Sequence, residues 1–189
     1  SYWIKHNKKV TWLVHQHRAV YDMYGTPYSD FNESSPEDRI LRKDIISTDN
    51  HVLLEAKKLF TISQTTSKRL YSYNGIKAES LYHPPSLAGR YFNADTGDYI
   101  LSVGRLDSLK RIDLLIEAIS RNKSNVKCII AGKGPHEDAL REIVKSRGII
   151  GRVEFAGFVS DEELLELYAN CLAVYYAPFD EDYGYVTLE

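Results

Sequence analysis

Between Tyr99 and Tyr176 the apolar residues change period again and again, and that alternation fixes the fold class. Tyr99 to Val103 is a short, mostly apolar run ending at Gly104, the pattern of a buried strand. Within Arg111 to Ser120 the apolar residues Ile112, Leu115, Ile116 and Ile119 recur at helical spacing. Val126 to Ala131 is a second strand, closed by Gly132-Lys-Gly-Pro135, and Pro135 suits the first position of a helix. Ala139, Leu140, Ile143 and Val144 give that helix its apolar face. Val153 to Phe155 is a third strand. Ser160 with Glu163 forms a capping-box pattern, opening a helix with Leu164, Leu165, Leu167 and Tyr168 inward. Leu172 to Tyr176 is a fourth strand. Strands and helices that alternate with short connections build a parallel sheet through right-handed crossovers, so the fold is α/β.

The first half is less regular. Val10 to His15 reads as a strand, and a loop rich in Gly, Pro, Ser and Asp follows from Gly25 to Ser35. Ser35, Pro36 and Asp38 signal a helix start, with helix expected to about Lys58. Leu59 to Ser63 reads as a strand, Thr65 to Tyr73 as a helix and Glu79 to Tyr82 as a strand. Pro84-Pro85 then stops regular structure. The expected organisation is a first domain over 1–83, a linker over 84–97 and a second domain over 98–189.

Composition excludes several functions. The net charge of −2 gives no general surface for nucleic acid or anionic membrane. No apolar run approaches the roughly 20 residues that span a bilayer, and the N-terminus shows no signal-peptide pattern. Cys128 and Cys171 lie in no metal-binding spacing and read as reduced thiols of a cytoplasmic protein. Tyrosines cluster at Tyr21, Tyr24 and Tyr28 and again at Tyr175, Tyr176, Tyr183 and Tyr185, where they could wall a cleft.

Chemistry concentrates at the carboxyl ends of the second-half strands, where open α/β sheets bind ligands. Arg105 and Lys110 follow the first of these strands, and Glu181 and Glu189 follow the fourth, so two cations and two carboxylates face one rim. Arg can grip a phosphate bidentately and Lys adds a point charge. A carboxylate accepts from paired sugar hydroxyls. The blander alternative is that Arg105 and Lys110 pair with Asp107 or Asp113, and that both glutamates are solvated. His15 and His17, two apart, would share a strand face; they read as a cleft contact, a metal pair or structural residues. Arg18 reads as an anion contact on the first domain. Asp180-Glu-Asp182 is an Asp-x-Asp, a pair of carboxylates that could bind a metal, overlapping Glu181.

Val103-Gly-Arg-Leu-Asp107 with Lys110 and Asp113-Leu-Leu-Ile-Glu-Ala118 resembles the donor-binding domain of family 4 glycosyltransferases. So do Ala131-Gly-Lys-Gly-Pro135, Val153-Glu-Phe-Ala-Gly157, Ser160-Asp-Glu-Glu-Leu164 and Pro178-Phe-Asp-Glu-Asp-Tyr-Gly184 through Glu189, all in the family's order. The resemblance implies the GT-B fold, two Rossmann-like domains with the active site in the cleft between them, with 1–83 as the later part of the acceptor-side domain and 98–189 as a donor-binding domain cut short at its C-terminus, both partial. It implies a retaining transfer from a nucleoside-diphosphate sugar to a hydroxyl, with no cofactor and no divalent metal. It assigns Arg105 and Lys110 to the diphosphate, Glu181 to the transferred sugar and Glu189 to the nucleotide ribose. The backbone from Gly184 and Tyr185 would lie near the diphosphate at a helix start, and His15 would touch the sugar.

The implied partners are a UDP-, GDP- or ADP-linked donor and a glycan or lipid-linked acceptor. The implied compartment is the cytoplasm, at the inner face of the membrane where the acceptor is lipid-linked, although no basic amphipathic helix is evident. Two departures stand out. The family usually has Gly after the Lys, where this chain has Arg111, and Tyr82-His-Pro-Pro85 replaces the family's Asn-Gly-Val-Asp. The chain reads as the middle of a longer enzyme. A noncatalytic nucleotide-sugar binder and a GT-B-fold epimerase are the alternatives.

Overall fold

A computed structural model describes residues 2–189, which divide into two compact units between His83 and Pro84. In the first unit, β1 (Val10–Leu13), β2 (Lys58–Thr61) and β3 (Glu79–Ser80) form a parallel sheet in the order β1-β2-β3. Helix α1 (Pro36–Leu54) joins β1 to β2, and α2 (Gln64–Asn74) joins β2 to β3. The Ser35 side chain accepts from the Asp38 N–H and Pro36 occupies the first helical turn, so α1 begins where sequence signals place it. It ends earlier than expected, at Leu54. The ladder with β1 claims the following residues: the Lys57 N–H donates to the Lys9 carbonyl and Lys58 pairs with Val10. β1 stops at Leu13, so His15 and His17 lie beyond the strand and share no strand face.

Polar groups run through this unit's interior. Asp49 is fully buried and accepts from the hydroxyls of Tyr2 and Tyr21 at 2.8 and 2.7 Å. Burial pushes the Tyr2 phenol up to about 12, with Asp49 adding to the rise. Two donors on one carboxylate satisfy both of its oxygens inside a small core. Tyr21 is therefore a core residue rather than a cleft wall.

The second unit has β4 (Tyr99–Val103), β5 (Lys127–Ala131), β6 (Val153–Gly157) and β7 (Ala173–Val174), all parallel in the order β6-β5-β4-β7. Helices α3 (Ile112–Arg121), α4 (Glu137–Ser146) and α5 (Asp161–Ala169) make the connections. Ile112, Leu115, Ile116 and Ile119 of α3 pack on Cys128 and Ile130 of β5, as their spacing requires. Burial pushes the Cys128 thiol up to about 12, so it acts as a small apolar side chain. The α5 capping box is complete: the Ser160 hydroxyl accepts from the Glu163 N–H, and the Glu163 carboxylate accepts from the Ser160 N–H. Pro135 does not start a helix. The His136 N–H donates to the Leu106 carbonyl, holding this stretch as a loop across the exit of β4 until α4 begins at Glu137.

β7 is shorter than its apolar run because it lies at the sheet edge, yet the Leu172 and Tyr175 N–H groups still reach the Tyr99 and Leu101 carbonyls. Residues 84–98 hold no helix or strand, and the N–H groups of Ala94 and Gly97 donate to carbonyls at the end of α5. Among the described residues no helix is long and apolar enough to cross a membrane.

Candidate functional site

The carboxyl ends of β4 and β7 are neighbours because those strands pair directly. The chain leaving β4 makes a short 3-10 turn over Ser108–Lys110, and the chain leaving β7 runs through Pro178 to Gly184. A backbone bond ties the two loops together, from the Phe179 N–H to the Leu109 carbonyl at 2.7 Å. Across this tie the Lys110 ammonium donates to the Glu181 carboxylate at 2.5 Å. Both side chains are partly buried, at 27% and 29% exposure. Burial alone would raise the Glu181 carboxyl pKa. The Lys110 bond and charge outweigh it, helped by the Tyr176 hydroxyl and the Asp182 N–H, and hold the group below the usual carboxylate range. An ionised carboxylate thus stands at the rim with an ammonium beside it.

Lys110 does not pair with Asp107 or Asp113; its partner is Glu181. Arg105 makes only a loose 3.9 Å approach to Asp107, and its side chain is 73% exposed. Arg105 instead lines a separate cavity of about 350 Å³ with Gly104, Gly132, Lys133, Phe158 and Leu164, at the carboxyl ends of β4, β5 and β6. Lys133 and Phe158 escaped the sequence reading. Phe158 is 85% exposed, an aromatic ring left standing at the mouth of a cavity. A larger cavity, about 730 Å³, lies along α5 with Glu154, Glu162, Glu163 and Glu166 in its wall and no cation, which suits no phosphate.

Gly184 is buried and left-handed, at φ 80°. The expected helix after it is a single 3-10 turn, Tyr185–Thr187, in which the Gly184 carbonyl accepts from the Thr187 N–H and hydroxyl. The Tyr185 ring meets Tyr183 edge to face at 4.7 Å. Glu189 accepts from the Tyr168 hydroxyl at 2.7 Å, a contact on α5 that the sequence reading lacked. Burial, then the charges of Glu181 and Glu189, raise the Tyr176 phenol pKa.

Asp180 and Asp182 flank Glu181, and no group of three His, Cys, Asp or Glu side chains among the described residues is arranged to hold a metal ion. In the first unit His15 is exposed, and its Nδ1 lies 2.8 Å from the Gln16 carbonyl oxygen. His17 packs edge to face on Phe31. Arg18 is committed to Asp22, donating from two nitrogens, and the buried Arg69 donates to the same carboxylate. Arg18 is thereby an internal ion-pair member rather than an anion contact.

The residue after Lys110 explains itself through its backbone. Arg111 has φ 52° and ψ 39°, the left-handed region where only glycine is free of Cβ strain. The Tyr175 hydroxyl donates to the Arg111 carbonyl at 2.7 Å and holds it there. Arg111→Gly is therefore expected to gain about 1 kcal/mol and raise the melting temperature by about 4 °C in a domain of this size. A melting temperature that stays level or falls would show that the Arg111 side chain offsets the strain.

The sequence model of the family described as Glycosyl transferases group 1 matches residues 89–189. The chain belongs to that family. An uncharacterized glycosyltransferase of Methanocaldococcus jannaschii is 36% identical over 97 residues, covering 50% of this chain and 25% of its own length. A Campylobacter jejuni N-acetylgalactosaminyltransferase acting on a diphospho-undecaprenol-linked sugar is 35% identical over 91 residues, covering 48% and 24%. Among solved structures, the lipopolysaccharide outer core galactosyltransferase WaaB aligns with TM-score 0.57 and 20% identity over 76% of this chain and 43% of that one. The Anabaena HepE protein, solved with UDP and glucose, aligns with TM-score 0.62 and 17% identity over 72% and 42%. The group 1 transferase chain thus has the α/β architecture of GT-B glycosyltransferases, and it spans about a quarter of the length of the curated relatives it matches.

Proposed function

We propose that this chain carries the donor site of a family 4, retaining glycosyltransferase that moves a hexose from a nucleoside-diphosphate sugar to a hydroxyl of a glycan or lipid-linked acceptor. The observation that carries the reading is the Lys110–Glu181 pair on two loops bonded to each other at the strand ends. A diphosphate supplies the anion that Lys110 now takes from Glu181, and its arrival frees the carboxylate for the hydroxyls of the transferred sugar. Arg105 grips the same diphosphate, Glu189 accepts from the ribose, and the backbone at Gly184 and Tyr185 lies against the phosphates. The nucleobase takes the cavity beside Arg105, with Phe158 as its stacking face.

In the transfer the bond from the sugar C1 to the phosphate oxygen breaks and the acceptor oxygen bonds to C1. The acceptor proton goes to the leaving diphosphate. Lys110 and Arg105 stabilise the charge that collects there, so no divalent metal is required. UDP is the first nucleotide to test, because the structural neighbour HepE was solved with it.

Binding of UDP, GDP and ADP by ligand-observed NMR tests the site. One nucleotide is expected to bind, with affinity unchanged by EDTA and weakened on the order of tenfold in Arg105→Ala, the loss of a charged hydrogen bond. Binding that EDTA abolishes would turn attention to Asp180 and Asp182. Binding to none, or equally to the Arg105→Ala protein, would sink the donor-site reading.

A further inference from the structure

We propose that Tyr175 and Tyr176 are paired positioning residues, each fixing one partner of the Lys110–Glu181 site. The inference rests on the donor-site reading above for its effect on turnover, but the contacts stand without it. Successive residues leaving β7 point to opposite faces. Tyr175 turns toward the α3 core, and its hydroxyl reaches the Arg111 carbonyl at 2.7 Å. That carbonyl belongs to the one left-handed residue that separates the Lys110 turn from α3. The phenol therefore clamps the backbone step that aims Lys110.

Tyr176 turns the other way. Its ring lies 5.9 Å from the Lys110 ammonium, centroid to nitrogen, within range of a cation–π attraction. That ammonium is bonded to Glu181, so the phenol stands beside the carboxylate, and its hydroxyl helps hold the Glu181 pKa down. A Cβ on Gly184 would lie 3.2 Å from that hydroxyl, so the glycine leaves the phenol the room it needs. A phenol in this place gives Glu181 a neutral donor that remains when a diphosphate draws Lys110 away. Without it, the carboxylate released by the ammonium would be partly buried with only the Asp182 N–H to hold it, at 3.3 Å.

Tyr176→Phe keeps the ring and removes the donor; Tyr175→Phe does the same for the other face. Carbon-13 NMR titration of the glutamate carboxyls in the present chain reads the first contact directly. The Glu181 midpoint is expected to move upward in Tyr176→Phe and to stay in place in Tyr175→Phe. In the intact transferase, Tyr176→Phe is expected to cut kcat on the order of tenfold, with nucleotide affinity unchanged and the acid limb of the rate profile moved to higher pH. Tyr175→Phe is expected to weaken nucleoside-diphosphate binding instead, with the limb unmoved. A Glu181 midpoint that does not move in Tyr176→Phe overturns the Tyr176 half, whatever the rate does. Unaltered diphosphate affinity in Tyr175→Phe overturns the other. A midpoint that moves while kcat stays level upholds the contact and overturns the sugar role of Glu181.

Discussion

Replacing Lys110 with alanine is expected to lower kcat of the intact transferase on the order of 10²–10³, the loss usual when a preorganised charge at a developing anion is removed. The fold should hardly notice. The pair with Glu181 is about a quarter exposed on each side, and pairs open to water contribute about 0–1 kcal/mol. The melting temperature at neutral pH should therefore fall by a few degrees at most. The pH dependence gives the sign of the interaction. Lys110 holds the Glu181 carboxyl below its ordinary range, so the pair's stabilisation is present above the unfolded carboxyl value, about 4.3. It disappears as pH falls through the lowered folded value. Wild type and Lys110→Ala should accordingly converge in melting temperature toward acid pH, and the variant's rate profile should lose activity at a higher pH on its acid side. Lys110→Arg keeps the charge but presents a planar fork where a point charge fits, and should recover only part of the rate. A kcat within tenfold of wild type in Lys110→Ala would falsify the phosphate role.

The sequence discloses the second unit far better than the first, and the reason is the kind of information each uses. Apolar period alone places β4, α3, β5 and α5 to within a residue or so, because their burial is set by neighbours close in the chain and by one shared sheet. The first unit depends on buried polar pairing, Asp49 with Tyr2 and Tyr21 and Asp22 with Arg18 and Arg69, which has no period to read. That is why Tyr21 and Arg18 look like surface chemistry in the sequence and are internal in the structure. The shared rim of Lys110 and Glu181 is legible, since strand ends of a parallel sheet open on one edge. Their direct pairing is not, because it needs the Phe179–Leu109 bond between loops 70 residues apart in sequence. Tyr176 is hidden for a related reason: its neighbours Lys110 and Gly184 are set by loop geometry, and tyrosine at a strand exit reads equally well as packing. The Arg111 position is half legible, as a missing glycine whose φ only the backbone reveals.

Gly132→Ala is expected to damage the second unit severely, costing about 4 kcal/mol or more. An added Cβ would stand 2.0 Å from the Gly104 carbonyl oxygen and 2.9 Å from its carbon, both backbone atoms held by the β4–β5 ladder. The Gly104 N–H donates to the Ala131 carbonyl, and the Gly132 N–H donates to the Gly157 carbonyl, so three strand exits are bonded through this point. A side chain cannot swing out of the way, and the backbone can move only by breaking those bonds. The residue also sits at φ 133°, where any L side chain is strained by about 1–3 kcal/mol before the clash is counted, and overpacking adds about 1–3 kcal/mol more. Gly148→Ala is the control. That glycine has φ 67° and nothing within 4 Å of the added Cβ, so it carries the backbone strain alone and should cost about 1 kcal/mol. By thermal denaturation, Gly132→Ala should fall by about 20 °C and Gly148→Ala by about 5 °C. Equal losses in the two would mean that the strand exits relax freely around Gly132. The cavity beside Arg105, which Gly104 and Gly132 line together, would then owe its shape to something other than that close approach.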